Sequence, residues 1–438
     1  MPAQNYVLLE RVTVGEAGAS SITFNSIPQT GYTDLKIVVS GREVTGTSLL
    51  FTMQINGVAT NQSTREVRGS GSSATSGTNT IGTLDQNGSG TTASTFGNAE
   101  IYIPNYTSAN YKSYSIDSAS ENNATAAYMR LSAGLWSQTA AITSLSFFPS
   151  SGNIAQYSTF SLYGLAAVGT TPTKAPKATG GSIIQTDGTY WYHAFLASGT
   201  FTPAVGLSCD VLVVAGGGGG GSQDGAGGGA GGLLGFTSQS VSTAITITVG
   251  SGGAGGVSAG TGTVGVDSQF GALTLVKGGG GGAGRNVAAS IGGSGGGGNT
   301  NTAPQGTGAV GTSGQGFAGG NGNIAGYSGG GGGAGAVGVN ATVSAAGAGG
   351  AGSNAYSSWA TATSTGVSGY YAGGGGGGSD SASVGAGGAG GGGAAKSAAI
   401  GDSGIANTGG GGGGAGFTGT IYAGGKGGSG LIIIRYAV

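Results

Sequence analysis

A single cysteine, Cys209, in 438 residues leaves no partner for an internal disulfide and no cysteine zinc site. Charge is nearly as scarce. Asp, Glu, Lys and Arg together make up 7% of the chain, the net charge is -1, and only ten of these residues fall in 201–438. Without a basic stripe, nucleic-acid binding through phosphate charge has no footing. No window approaches ~18 unbroken apolar residues, so no transmembrane helix or membrane insertion is expected. The start, "MPAQNYVLLERVTV", lacks a basic segment followed by an apolar core, and the expectation is no signal peptide and release by a route such as lysis. His193 is the sole histidine, set beside Trp191 and Phe195 in a strand pattern, where a packed core histidine is expected. No Ser/His/Asp set stands out in the second half. Asp224, Asp267, Asp380 and Asp402 share no nonapeptide calcium-repeat spacing. The chain therefore reads as a non-enzyme with no cofactor and no metal.

What is abundant is glycine, and it is uneven. Of 106 glycines, 21 lie in 1–200 and 85 in 201–438. Two compositions are joined end to end. Disordered chains are polar and charged, whereas this one has a mean hydropathy of +0.11.

Residues 1–168 read as an antiparallel β-sandwich of jelly-roll type. Runs such as "SSITFNSI", "TDLKIVVSG", "NAEIYIP", "YKSYSIDSA" and "STFSLYGL" are β-branched or aromatic and mostly alternate. Gly, Asn, Ser and Pro turns separate them. The stretch 66–95 is rich in Ser, Thr and Gly and reads as a long loop. Residues 169–182, "GTTPTKAPKATGGS", read as a linker. Residues 183–438 form the third segment.

In that segment β islands interrupt the glycine: "SCDVLVVA", "STAITITVG", "ALTLVKGG" and the terminal "GLIIIRYAV". Glycine runs of mostly six to nine residues repeat between them, including 215–222, 225–232, 250–256, 277–284, 291–298, 328–335, 347–352, 372–379, 385–393, 408–416 and 423–428, with a diluted zone at 306–323. Matched length calls for a structural reason. A polyproline II chain has three residues per turn and no internal hydrogen bonds. Without side chains, such helices can approach one another and bond laterally, satisfying every backbone group. The expected fold is all-β, with a small β domain interrupted by a polyglycine II helix bundle. "GGGGGG" suits an interior helix, and alanines three apart suit an outer one. Gly216–Gly221 is expected as an inner helix going out and "GAGGGAGG" (225–232) as an edge helix coming back.

"GTFTP" before "DVLVVAGGGGGG", the repeated runs and the closing "GLIIIRY" together resemble the glycine-rich adhesin domain of phage tail fibres. The order "SSITFNSIP", "AEIYIPNY" and "STFSLYGL" in the first half resembles a β-sandwich module of phage tail and virion proteins. The resemblance implies a virion protein, extracellular after release, whose bundle loops bind a host-cell surface receptor, protein or glycan. Other virion proteins would be its partners, and residues 1–168 would serve attachment or oligomerisation, for instance as a homotrimer. A head fibre or decoration protein with the bundle as a rigid spacer is the alternative. Receptor-binding candidates are Tyr356, Trp359, Tyr370 and Tyr371 in the 353–371 loop, Phe417 and Tyr422 in "FTGTIY", and Arg285 and Asn286 in "RNVAAS". Aromatic rings with polar tips suit sugar faces and protein surfaces alike. An up-and-down path needs an even number of helices. The glycine runs alone do not supply that parity, so 353–371 can be placed at either end.

Overall fold

The computed structural model describes residues 6–45, 49–121, 123, 127–167, 175–300 and 306–438. The chain is all-β. Its first strands are β1 (Tyr6–Thr13), β2 (Ile22–Phe24), β3 (Tyr32–Gly41), β4 (Leu49–Ile55), β5 (Gln62–Gly69), β6 (Ala74–Asn79), β7 (Gly82–Gln86), β8 (Gly97–Ile103), β9 (Lys112–Ala119) and β10 (Met129–Trp136). Then follow β11 (Leu145–Pro149), β12 (Thr159–Ala166), β13 (Ala178–Thr179), β14 (Ile183–Thr186), β15 (Tyr190–Phe195) and β16 (Gly199–Pro203). The last are β17 (Leu207–Val214), β18 (Leu233–Val241), β19 (Ile245–Thr248), β20 (Gln269–Phe270) and β21 (Leu431–Ala437). Among the described residues one short helix, α1 (Ser357–Thr363), interrupts the second half.

Two compact units divide the chain. The first is Met1–Lys177 with Ser182–Trp191 and Ala437–Val438, and the second is Tyr192–Tyr436 with Ala178–Gly181. Of the expected linker 169–182, residues 169–174 lie outside the described residues, and Ala178–Thr179 pairs with β16.

In the first unit the strands run in the order β14-β1-β12-β3-β8-β9-β10-β5-β6 and, in a second sheet, β2-β11-β4-β7. Neighbours are antiparallel, as in β3 with β12 and β4 with β11. β9 and β10 alternate buried and exposed residues strictly, as a half-buried strand requires. Rings from both sheets meet in one core: Phe160 of β12 lies 5.6 Å from Phe51 of β4 and 5.5 Å from Phe147 of β11. Arg130 also links the sheets, through Asp85, and two strands of its own sheet, through Glu66. Arg130 of β10 donates to Asp85 of β7 at 2.6 Å, and also to Glu66 of β5 at 2.6 Å.

The stretch 66–95 corrects its reading as a loop. It contains the end of β5, the hairpin partner β6, and β7, every residue of which is buried. Ser, Thr and Gly here occupy ladder positions, in β6 against its hairpin partner β5 and in β7 against the more distant β4, and composition does not report those partners.

In the second unit, β17 is flanked by β18 and β21, and Val211 to Val214 pair with Ile434 to Leu431. Both faces of β17 and β21 are buried here, so both strands read as continuous apolar runs. A second sheet runs β13-β16-β19-β20. His193 on β15 is fully buried. Its Nδ1 lies 2.7 Å from the Gly180 carbonyl and its Nε2 3.0 Å from the Tyr436 hydroxyl. Burial pushes its pKa down to about 4.

Between β17 and β21 the glycine runs carry neither helix nor strand hydrogen bonding, yet they are buried and bonded. The stretch 225–232 sets the pattern. The N–H groups of Gly225, Gly228 and Gly231 donate to the carbonyls of Ala415, Gly412 and Gly409. Those of Ala226, Gly229 and Gly232 donate to Ala283, Gly280 and Lys277, and those of Gly227 and Ala230 to Gly329 and Gly332. Its carbonyls accept in the same way. Ala226, Gly229 and Gly232 take the N–H groups of Gly221, Gly218 and Ala215. Gly225 and Gly228 take those of Gly378 and Gly375, and Gly227 and Ala230 those of Gly297 and Ser294. Every third residue returns to the same neighbour, and no bond closes within the run. The stretch therefore lies at the centre of its neighbours, and Ala226 and Ala230 are fully buried. This corrects its expected edge position. The chain satisfies every N–H of this buried segment laterally, as burial demands.

Close approach explains the composition. A Cβ placed on Gly217 would lie 2.1 Å from the Gly410 carbonyl oxygen, and one on Gly220 would lie 2.1 Å from that of Gly413. Neither glycine has a positive φ. Their neighbours, rather than their own dihedral angles, demand glycine.

Several passes carry so little glycine that composition hides them. "TGTVGV" (261–266) uses Gly262 and Gly265 to bond Gly282 and Gly279, while Thr263, Val264 and Val266 face outward. In 336–341, Gly338 and Ala341 bond Ala318 and Asn321. In 400–405, Gly401 and Gly404 bond Ala423 and Lys426. The run read as 291–298 is split: Ser290 and Gly293 bond Gly281 and Gly278, whereas Ser294 and Gly297 bond Ala230 and Gly227. The diluted zone supplies two antiparallel passes, with Gly319 bonding Ala309 and Gly322 bonding Gly306. These hidden passes explain why counting glycine runs failed to settle the parity.

Candidate functional site

The passes define two ends within the second unit. One is the sheet end, where Val214 leaves β17 and Gly430 enters β21. The other is the far end, reached first at Ser222–Asp224. The eight candidate residues divide between them.

Tyr356, Trp359, Tyr370 and Tyr371 belong to the sheet end. The chain returns there after Gly352 because Gly347 and Gly350 bond Ser328 and Gly331 in the same direction as 225–232. Tyr356 precedes α1, and the seven-residue helix closes with Ser364 at φ 51°. Trp359 is 5% exposed; its ring lies 5.3 Å from that of Tyr356 and 6.2 Å from that of Tyr192. The Arg435 guanidinium stands 4.5 Å over Trp359 and pairs with Asp210 at 3.0 Å. Tyr371 is fully buried, and its hydroxyl lies 2.6 Å from that of Thr365. Burial pushes its pKa up to about 12. Tyr370 is half-buried and bridges Val367. Most of this aromatic surface is spent on closing the sheet end.

Arg285, Asn286, Phe417 and Tyr422 belong to the far end and surround the turn entering the central pass. The Arg285 guanidinium sits 5.8 Å over the Phe417 ring and 3.6 Å from Asp224 Oδ2. Ser222 Oγ donates to the Tyr422 carbonyl at 2.9 Å, and Ser328 Oγ donates to the Asp224 carbonyl. Arg285 and Asn286 are exposed, while Phe417 and Tyr422 are half-buried. The stretch 222–224 reads in sequence as a tight outer loop of the bundle, but Asp224 itself is not among the candidate residues. Burial, and next the Asp380 side chain, push its pKa up to about 7, while Arg285 opposes the shift.

The far-end turns share a second feature. Val257, Val287, Ile324, Val343, Ile400 and Ile421 each stand on a different turn and are 45–77% exposed. Each follows or interrupts a glycine pass, so a Val or Ile just beyond a glycine period was the available signal. The arrangement sets branched apolar tips around a centre holding Asp224, Arg285 and Phe417. It can make non-covalent contact with a surface offering both apolar patches and hydrogen-bonding groups. Among the described residues, no group of three or more His, Cys, Asp or Glu could hold a metal ion. No helix there is long and apolar enough to cross a membrane.

Comparison with known proteins gives one match: residues 196–437 fit the model of a family described as a glycine-rich domain. No curated protein and no solved structure matches the chain.

Proposed function

The chain belongs to the glycine-rich domain family, and from that premise we propose that it is a virion-borne receptor-binding protein of a bacteriophage, a tail fibre or the adhesin at its tip. The glycine passes are polyglycine II helices in this reading. The three-residue period of their lateral bonds and the absence of bonds within a run support it. Such a scaffold is stiff because each pass is fixed on several sides, and it leaves the turns free to vary.

The observation that carries the binding role is the far end. Arg285, Asn286, Phe417 and Tyr422, drawn from separate stretches of sequence, gather around Asp224 inside a set of exposed Val and Ile tips. Scattered single apolar residues on a surface need no explanation; one on each of six turns at the same end does. Host surfaces present repeated receptors, so weak contacts on several copies of the protein add through avidity. The first unit serves attachment to other virion proteins or oligomerisation.

The test is adsorption. Purified full-length protein should bind the host cells and compete with phage. Phe417→Ala combined with Arg285→Ala should weaken that competition, whereas Tyr370→Ala at the sheet end should not. A protein that neither binds nor competes would leave the rigid-spacer reading in its place.

A further inference from the structure

In the first unit, β10 turns its less apolar half inward. Arg130, Ser132, Gly134 and Trp136 are buried, whereas Met129, Leu131, Ala133 and Leu135 are exposed. Met129 and Leu131, with Val67 of β5, are 58–66% exposed. Val67 pairs directly with Leu131, and Met129, Leu131 and Leu135 follow one another along one face of the strand, so the four side chains form one stripe. The neighbouring strands show the pattern of a solvated face. β9 turns Ser113, Ser115 and Asp117 outward, and β8 turns Asn98 and Glu100 outward. Single exposed apolar residues are ordinary; a continuous stripe marks a contact surface.

Unlike charges without partners flank the stripe. On one side Asp117 of β9 stands opposite Leu131 and, across its other edge, opposite Glu100 of β8. Carboxylates directly across two strands repel each other. Lys36 pairs with Glu100 at 2.7 Å, and among the described residues no cation pairs with Asp117. On the other side Arg65 of β5 stands opposite Ala133. It is exposed, and among the described residues it donates only to the carbonyl of its neighbour Thr64, at 3.2 Å.

The strand order β9-β10-β5 makes these two flanks complementary to each other. A second copy laid face to face about a two-fold axis along β10 sets β10 over β10 and each β5 over the partner's β9. Each contact then occurs twice, as an isologous interface requires. Arg65 is level with Ala133 and Asp117 with Leu131. That offset is ~7 Å along the strand, and sheets pack ~10 Å apart; an arginine and an aspartate side chain together span it. Charges that match under this symmetry favour a second copy over an unlike partner.

We propose that the outer face of β9, β10 and β5 is a dimer interface. A second copy of this chain packs on it about a two-fold axis along β10, covers the Met129–Leu131–Leu135 stripe and pairs Arg65 with the partner's Asp117 on both sides. The interface specifies the oligomerisation role proposed for the first unit and does not depend on receptor binding.

Analytical ultracentrifugation of the full chain, from about 1 to about 100 µM, tests it. The mass should reach that of two chains by the top of that range. Leu131→Glu, at an exposed position, should stay a single chain throughout while keeping the wild-type strand signal in circular dichroism. Arg65→Asp alone and Asp117→Arg alone should each weaken association roughly tenfold or more, and the two together should restore it. The interface is overturned if the wild type stays a single chain, if it forms trimers, or if Leu131→Glu dimerises as the wild type does. It is equally overturned if the single exchanges leave association unchanged or the double exchange fails to restore it. Adsorption is measured separately, so either reading can fail without the other.

Discussion

Replacing Gly220 by alanine isolates the reason for the glycine. The residue has no positive φ, so its own backbone accepts alanine. The added Cβ would sit 2.1 Å from the Gly413 oxygen, and ordinary contact begins near 3.4 Å, so the two passes must separate by more than 1 Å. That displacement strains Gly220 N–H to Gly425 at 2.9 Å, Gly256 N–H to Gly220 at 2.8 Å and Gly425 N–H to Gly413 at 2.8 Å. At about 0.5–1.5 kcal/mol each, three lost bonds cost about 1.5–4.5 kcal/mol. The lower entropy of the unfolded alanine chain returns roughly 0.4–1 kcal/mol. The net loss, about 0.5–4 kcal/mol, reaches a large part of a typical domain's stability of about 5–15 kcal/mol. Val264→Ser, on the outer face of its pass, should stay within about 0.5 kcal/mol of wild type. Chemical denaturation of the three proteins side by side measures both values. If Gly220→Ala unfolds at the wild-type midpoint, close packing is not what selects glycine.

Other consequences follow from buried charge. Glu10 is fully buried with its pKa raised to about 8, so its contribution to stability is intact below the ordinary value near 4.5 and is lost as pH rises through 8. That window is worth on the order of 4–5 kcal/mol; denaturation at both ends should show wild type losing that much relative to Glu10→Gln. His193 has the opposite sign. Its lowered pKa makes its contribution complete above 6.5 and lost as pH falls through about 4, a difference of about 3 kcal/mol, read against His193→Gln over the same range. Arg130→Met leaves Asp85 buried and unpaired on that side, and urea denaturation should show a loss of about 3–5 kcal/mol.

The first unit's strands were legible because β9 and β10 alternate strictly. The exception, 66–95, failed because β7 owes its burial to Arg130 and to strands distant in sequence. In the second half, "LVVA" and "LIIIRY" marked the sheet pair β17 and β21. The long glycine runs marked passes through the interior. What stayed hidden were passes such as 261–266 and 400–405. There only one residue in three, such as Gly262 or Gly401, lies too close to a neighbouring carbonyl for a side chain, and the other two are free to be Thr, Val, Asp or Ser. The central position of "GAGGGAGG" was misread because alanine was taken as a sign of exposure, whereas Ala226 and Ala230 are enclosed. For the aromatic loop, residue type alone does not separate a ring that binds a receptor from one that closes a sheet; Trp359 and Arg435 meet only in three dimensions.

The central claim is that the glycine runs are ordered by lateral bonds repeating every three residues. Through-hydrogen-bond scalar couplings test it most directly. With the chain labelled with ¹⁵N and ¹³C at glycine and alanine, the amide nitrogens of Gly225, Gly228 and Gly231 should couple to the carbonyl carbons of Ala415, Gly412 and Gly409. Absence of those couplings, with amides of 225–232 exchanging at random-coil rates, would contradict the account.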